Sequence, residues 1–275
     1  MIVGLGLIGG SFALSLRDHG LADEILGVEN SEEHAAEALQ LGLADRIVPF
    51  EEGIAQADLT VLATPVDTIP LLAVKALNRV SDRQAVIDMG SIKGELCEVI
   101  SMHARRRRFV AVHPMWGTEY SGPKAAQHGA FTGRHVVFCD TEHSDADVLQ
   151  TVERIFRTLR CPAIYMNPEE HDLHAAYVSH ISHVSSFALA LTVLEKELEE
   201  RHIFDLAGGG FESTVSRRAQ RTAGQQRGKV RGVAPEQQPE HIHQLQVLRK
   251  MLERDDAEGL RQAIERANSI QRIIH

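Results

Sequence analysis

Three glycines near the start of the chain stand at a spacing with a definite physical use. Gly4, Gly6 and Gly9 form G-x-G-x-x-G between the apolar residues Met1-Ile2-Val3 and a helical stretch from Phe12 to Asp18. In that strand-to-helix setting the first glycine makes the tight turn, the second admits a pyrophosphate, and the third lets helix pack on strand. Leu7 and Ile8, at the start of the helix, offer free N–H groups at its positive dipole end to phosphate oxygens. The next apolar stretch, Glu24 to Val28, ends at Glu29, twenty residues after Gly9. A carboxylate there accepts hydrogen bonds from adenosine ribose hydroxyls and repels a 2′-phosphate. Asn30 and Ser31 supply no arginine to bind one, so the expected cofactor is NAD rather than NADP. Further polar clusters follow apolar runs: Thr64-Pro65-Val66, Met89 to Gly94, and His113 to Gly122. Thr64 and Pro65 fall near the expected cofactor crevice.

Those clusters need a scaffold that collects strand ends on one edge. Apolar runs at Leu59 to Ala63, Ala85 to Asp88, Phe109 to Val112, His135 to Cys139 and Ala163 to Tyr165 read as strands. Helical stretches from Glu32 to Leu41, capped by Gly42, and from Asp145 to Leu159 stand between some of them. The alternation predicts an α/β fold with a doubly wound sheet, whose ligands bind outside the carboxyl ends of the strands. The run Arg105 to Arg108 reads as a solvated corner between a helix and a strand. From Glu169 onward the period changes to three and four. Ile181, Val184, Ala188, Leu191, Leu194 and Leu198 make one stripe, and Leu245, Leu248, Met251 and Leu252 another. Leu260, Ile264, Ala267, Ile270 and Ile274 make a third. The expected division is a dinucleotide-binding domain over 1–167 and an all-helical domain over 168–275, with apolar stripes available to each other or to a second subunit.

Composition narrows the function classes. The 275 residues carry 29 Lys and Arg against 38 Asp and Glu, a net charge of −9 that argues against a nucleic-acid or anionic-membrane binder. Cys97, Cys139 and Cys161 have no C-x-x-C or zinc-finger spacing and read as reduced thiols. No apolar run approaches the roughly 18 residues of a membrane span, and no basic, signal-like start is present. A soluble, cytoplasmic protein is the expectation.

Five motifs in series make a more specific pattern. They are Gly6-Leu7-Ile8-Gly9-Gly10-Ser11, Asp88-Met89-Gly90-Ser91-Ile92-Lys93, His113-Pro114-Met115-Trp116-Gly117, Ser179-His180-Ile181-Ser182-His183 and Gly208-Gly209-Gly210-Phe211. In this order the chain resembles the prephenate dehydrogenase family, arogenate-using relatives included. The resemblance implies a Rossmann-type domain followed by a helical dimerisation domain, a homodimer, and oxidative decarboxylation of prephenate to 4-hydroxyphenylpyruvate in tyrosine biosynthesis. It implies His113 as the imidazole that accepts the hydroxyl proton of the substrate, a task suited to a neutral histidine near pH 7. Ser91 would orient that imidazole or share the hydroxyl contact, and Lys93 would lie near cofactor or substrate. His180 and His183, three apart on one helical face, would bind substrate.

The histidines also permit other readings. His171, Asp172 and His174 stand close enough in sequence to join His180 and His183 around a metal, or the histidines can be core or interface residues. No H-E-x-x-H is present and the implied reaction needs no Lewis acid, so no metal is expected. After Val215 the chain departs from the family pattern, which continues with an arginine that pairs with a substrate carboxylate. Residues 216–238 hold six Lys and Arg, one acid, and no Leu, Ile, Phe, Met or Trp. Arg217 is the nearest candidate for that arginine. Two alternatives stand beside an active prephenate enzyme: an arogenate dehydrogenase, and an NAD-binding homologue impaired by this segment. A β-hydroxyacid dehydrogenase or imine reductase would place a lysine on the first long helix of the second domain, and residues 170–194 contain none.

Overall fold

Strands buried on both faces need apolar residues without alternation. The chain supplies them at Ile2–Val3 (β1), Leu26–Val28 (β2), Leu59–Leu62 (β4), Ala85–Asp88 (β5), Phe109–Pro114 (β6) and Val136–Cys139 (β7). Arg46–Ile47 (β3) and Ala163–Met166 (β8) close the two edges. The computed structural model describes residues 1–118, 120–177, 181–197 and 238–268, and for 181–184, 196–197 and 238–241 it gives backbone only. In the first of two units, Met1–Ala175, the strands form one sheet in the order β3-β2-β1-β4-β5-β6-β7-β8. The first six pair in parallel in the strand order of a Rossmann fold, with the switch point between β1 and β4. β7 runs antiparallel to β6, and β8 lies parallel to β7.

Helices Leu7–Asp18 (α1), Glu32–Gln40 (α2), Phe50–Gln56 (α3), Ile69–Leu77 (α4), Gly94–Ile100 (α5) and Ala146–Thr158 (α6) accompany the strands. Successive strand residues feed opposite faces. Ile87, Val110 and Val112 join Phe12, Phe131, Phe138 and Phe156 on one side. Val86, Phe109 and Ala111 join Phe50, Leu62 and Leu77 on the other. Helix Pro168–Ala175 (α7) begins at Asn167, whose Oδ1 accepts the Glu170 N–H at 2.7 Å, and has proline at its first position. It packs on β7 and α5, so the first unit runs beyond residue 167.

The arginine run is not the solvated corner its composition suggests. Arg106 and Arg108 are buried, and their guanidinium groups pair with Asp140 at 2.6 Å and Asp147 at 2.9 Å. Arg106 also donates to the Phe109 carbonyl at 2.9 Å. Carboxylates distant in sequence drew these side chains inward, an effect no local window contains.

The second unit, Ala176–His275, shows helices Ile181–Glu197 (α8), Gln238–Glu253 (α9) and Ala257–Asn268 (α10) among the described residues. Its core comprises Ala188, Ala190, Leu191, Leu194, Leu248 and Ala267, with Leu245, Met251 and Leu260 packed against them. The stripes follow the expected periods, but Leu252 is exposed. Leu198, Ile270 and Ile274 lie outside the described residues. Among the described residues no helix is long and apolar enough to cross a membrane.

Candidate active site

The glycine turn is built around close packing at two of its glycines and open space at the third. Gly4 has φ +86°, which an L side chain rarely adopts, and a Cβ there would stand 2.8 Å from the Ala63 carbonyl oxygen. A Cβ on Gly9 would reach 2.0 Å from the Gly4 carbonyl oxygen. At Gly6 the nearest atom to such a Cβ is 3.9 Å away, so packing does not demand glycine there. A ligand that must touch backbone would. Gly6 is the N-cap of α1 and no side chain caps the helix, leaving the first-turn N–H groups of Leu7 and Ile8 for an anion.

Glu29 completes this end of the site. Its Oε2 accepts the Leu5 N–H at 3.3 Å, while Oε1 accepts those of Asn30 at 2.9 Å and Ser31 at 3.2 Å. These bonds hold the carboxylate beside the glycine turn at the carboxyl end of β2. Thr64 and Pro65 follow β4 across the switch point. The Thr68 hydroxyl donates to Thr64 Oγ1 at 2.8 Å and to the Pro65 carbonyl at 2.7 Å, which fixes the loop. The donor set, the uncapped helix and the space at Gly6 fit the pyrophosphate and ribose of a dinucleotide.

A second cluster occupies the carboxyl ends of β5 and β6. His113, half-buried near the end of β6, has its Nδ1 2.8 Å from Nε2 of His171 on α7. The two rings meet edge to face with centroids 5.1 Å apart. His171 is 2% exposed, and its Nδ1 lies 2.7 Å from Asp172 Oδ1. The Asp172 carboxylate also accepts the N–H groups of Lys93 and Gly94, each at 2.8 Å, at the start of α5. Burial lowers the His171 pKa below the ordinary imidazole value, against the opposing pull of Asp172.

Lys93, expected near cofactor or substrate, stands in an interior ion pair. Its side chain is fully buried and its ammonium pairs with Asp88, also fully buried at the end of β5. An ammonium held this way has no exposed surface with which to touch a ligand. Asp88 further accepts N–H groups from Gly90 at 2.8 Å and Val112 at 3.3 Å, so the pair ties β5, β6 and the intervening loop together. Burial raises the Asp88 pKa, and Lys93 and those N–H groups pull it back.

Ser91 is half-buried in that loop and makes no hydrogen bond with His113. His171 makes a contact with His113 that the sequence did not suggest. His171 and Asp172 were visible in sequence only as possible metal ligands; Asp88 was visible as a strand end and as the first residue of a motif, without a role of its own. The signal that links them is a tertiary contact 58 residues long. His171 bonds to Asp172 on one side and to His113 on the other rather than converging with His174. Among the described residues the cluster with ligand atoms close enough for a metal is Asp140, Glu142 and His143, and Asp140 already pairs with Arg106. His183 falls on α8 within the backbone-only part, while His180 and Arg217 lie outside the described residues.

Comparison with known proteins agrees with this geometry. The family model described as "Prephenate dehydrogenase, nucleotide-binding domain" matches residues 12–165, and "Prephenate dehydrogenase, dimerization domain" matches 167–266. A prephenate dehydrogenase of Bacillus subtilis (strain 168) is 28% identical over 266 residues, covering 94% of this chain and 71% of that protein. One of Lactococcus lactis subsp. cremoris is 32% identical over 215 residues, 77% of this chain and 58% of that protein. The crystal structure of a prephenate dehydrogenase from A. aeolicus with hydroxyphenyl propionate and NAD+ superimposes with a TM-score of 0.70 at 29% identity, covering 100% of this chain and 97% of the other.

Proposed function

The chain belongs to the prephenate dehydrogenase family, and from that premise we propose that it converts prephenate to 4-hydroxyphenylpyruvate with NAD as oxidant. The observation that carries the reading is the pairing, on one edge of one sheet, of an open glycine turn after β1 with a tethered histidine at the end of β6. Prephenate and NAD+ give 4-hydroxyphenylpyruvate, carbon dioxide and NADH, with no net proton. NAD, when bound, supplies the acceptor for the hydride of the hydroxyl-bearing ring carbon.

The protein's own share is orientation and charge. Gly4, Gly6 and Gly9, with the N–H groups of Leu7 and Ile8, would hold the pyrophosphate, and Glu29 the ribose. Thr64 and Pro65 would line the crevice at the switch point. His113 takes up the hydrogen bond of the ring hydroxyl and shares its proton as positive charge develops on the carbinol carbon. The proton stays with the phenol oxygen once carbon dioxide has left and the ring is aromatic. Because aromatisation drives the reaction, holding ring and acceptor together is the main catalytic demand. Ser91 shares the hydroxyl contact in this reading, and Lys93 acts by fixing the β5 and β6 ends with Asp88.

His180, His183 and Arg217 belong to the same proposal as substrate contacts, Arg217 as bidentate partner of a carboxylate. So does the functional division into 1–167 and 168–275, supported by the two family-model matches. The match to a dimerisation domain supports a homodimer through 168–275, and the three free, buried thiols suit a cytoplasmic location. The test is a matrix of initial rates with prephenate or arogenate and with NAD or NADP. The expected result is fastest turnover with prephenate and NAD. Faster turnover of arogenate would move the assignment to its amino analogue, and no turnover of either would refute it.

A further inference from the structure

His171 and Asp172 lie outside the five motifs that suggested the family, yet His171 contacts the residue on which the proposed chemistry depends and Asp172 holds His171. Among the described residues, the charged or titratable groups that face His171 are His113 from β6, Asp172 from its own helix, Asp88 at the end of β5 and Lys93 before α5. The order of hydrogen bonds among them has only one consistent reading. Asp172 Oδ1 is a carboxylate oxygen, so the 2.7 Å contact requires the proton on His171 Nδ1. Burial lowers the His171 pKa and so favours the neutral ring, and a neutral ring with its proton on Nδ1 carries its lone pair on Nε2. That lone pair, 2.8 Å from His113 Nδ1, requires the proton of a neutral His113 to sit on Nδ1.

We propose that His171 and Asp172 are positioning residues that fix the tautomer of His113, leaving its lone pair on Nε2 as the base for the ring hydroxyl. The proposal deepens the functional reading above and rests on it for the identity of the base. Asp172 sets the first link of the relay and, through the Lys93 and Gly94 N–H groups, anchors α7 to the start of α5. Position 94 suits the arrangement, since a Cβ there would stand 3.0 Å from Asp172 Oδ2.

The tautomer can be read without substrate by nitrogen-15 NMR of the histidine-labelled chain, with His113 assigned through the His113→Gln variant. The relay predicts a protonated Nδ1 and an unprotonated Nε2 on His113. Asp172→Leu removes the acceptor that holds the His171 proton on Nδ1, so the His113 proton is no longer confined to Nδ1 and moves in part to Nε2. There kcat for prephenate should fall by about 100-fold with little change in KM. His171→Gln, which keeps an acceptor for the His113 N–H, should recover most of the kcat lost in His171→Leu. A protonated Nε2 on His113 in the unmodified chain would overturn the proposal, as would equal kcat in the Gln and Leu variants. A chain inert toward prephenate but showing the predicted tautomer would refute the functional reading and leave the relay standing.

Discussion

Lys93 shows how far one side chain can depart from its sequence appearance. The family resemblance places Lys93, between a strand and a helix, near cofactor or substrate. Asp88, five residues earlier at the end of a buried strand, instead draws it into the interior. A lone carboxylate at 0% exposure would be far more costly than the paired one. Lys93→Met should therefore cost roughly 3–5 kcal/mol in chemical denaturation, and adding Asp88→Asn should restore part of it. A Lys93→Met chain of undiminished stability would mean that the pair holds nothing together. The His113–His171 contact was equally hidden, because no local pattern announces a partner on a helix two strands later. The place of Glu29 beside the glycine turn was legible from its spacing, and the structure adds the N–H groups that hold it there.

At the level of elements, the glycine turn separates folding from binding. Gly4 and Gly9 serve the packing of α1 on β1 and β4, while Gly6 faces open space. Gly4→Ala should lower the unfolding free energy by about 1–3 kcal/mol. Gly6→Ala should leave it within about 0.5 kcal/mol yet weaken NAD binding at least tenfold by calorimetry. If Gly6→Ala bound NAD as tightly as the parent, the turn would not be where the pyrophosphate lies. The strands from β4 to β7 were legible because buried strands must be apolar throughout, and the exposed edge strand β8 was legible from its short apolar run Ala163 to Tyr165. β3 was not, since two residues at an exposed edge carry no pattern. The reversal of β7 was hidden as well: strand direction depends on the connection, and the segment between Pro114 and Val136 has no regular period. The buried arginines after α5 follow the same logic as Lys93, with partners supplied by Asp140 and Asp147.

For the whole molecule, the sheet unit and the helical unit each hold a core of their own. The boundary between them falls after Ala175, a few residues beyond the change of period at Glu169. Buried thiols reinforce the picture of a scaffold without cysteine chemistry, since burial pushes Cys97 and Cys139 up to about 12. What composition could not reveal is how the ends of β1, β2, β4, β5 and β6 share one edge of the first unit; that follows from strand order alone. The account stands on His113 acting at that edge on a substrate oxidised by NAD. The direct measurement is the yield of NADH and of 4-hydroxyphenylpyruvate from prephenate, followed for the parent chain and for His113→Gln. The parent should form the two products one to one, and the variant should lose about 100-fold or more in kcat while still binding NAD. Unequal yields in the parent, or a variant as fast as the parent, would contradict it.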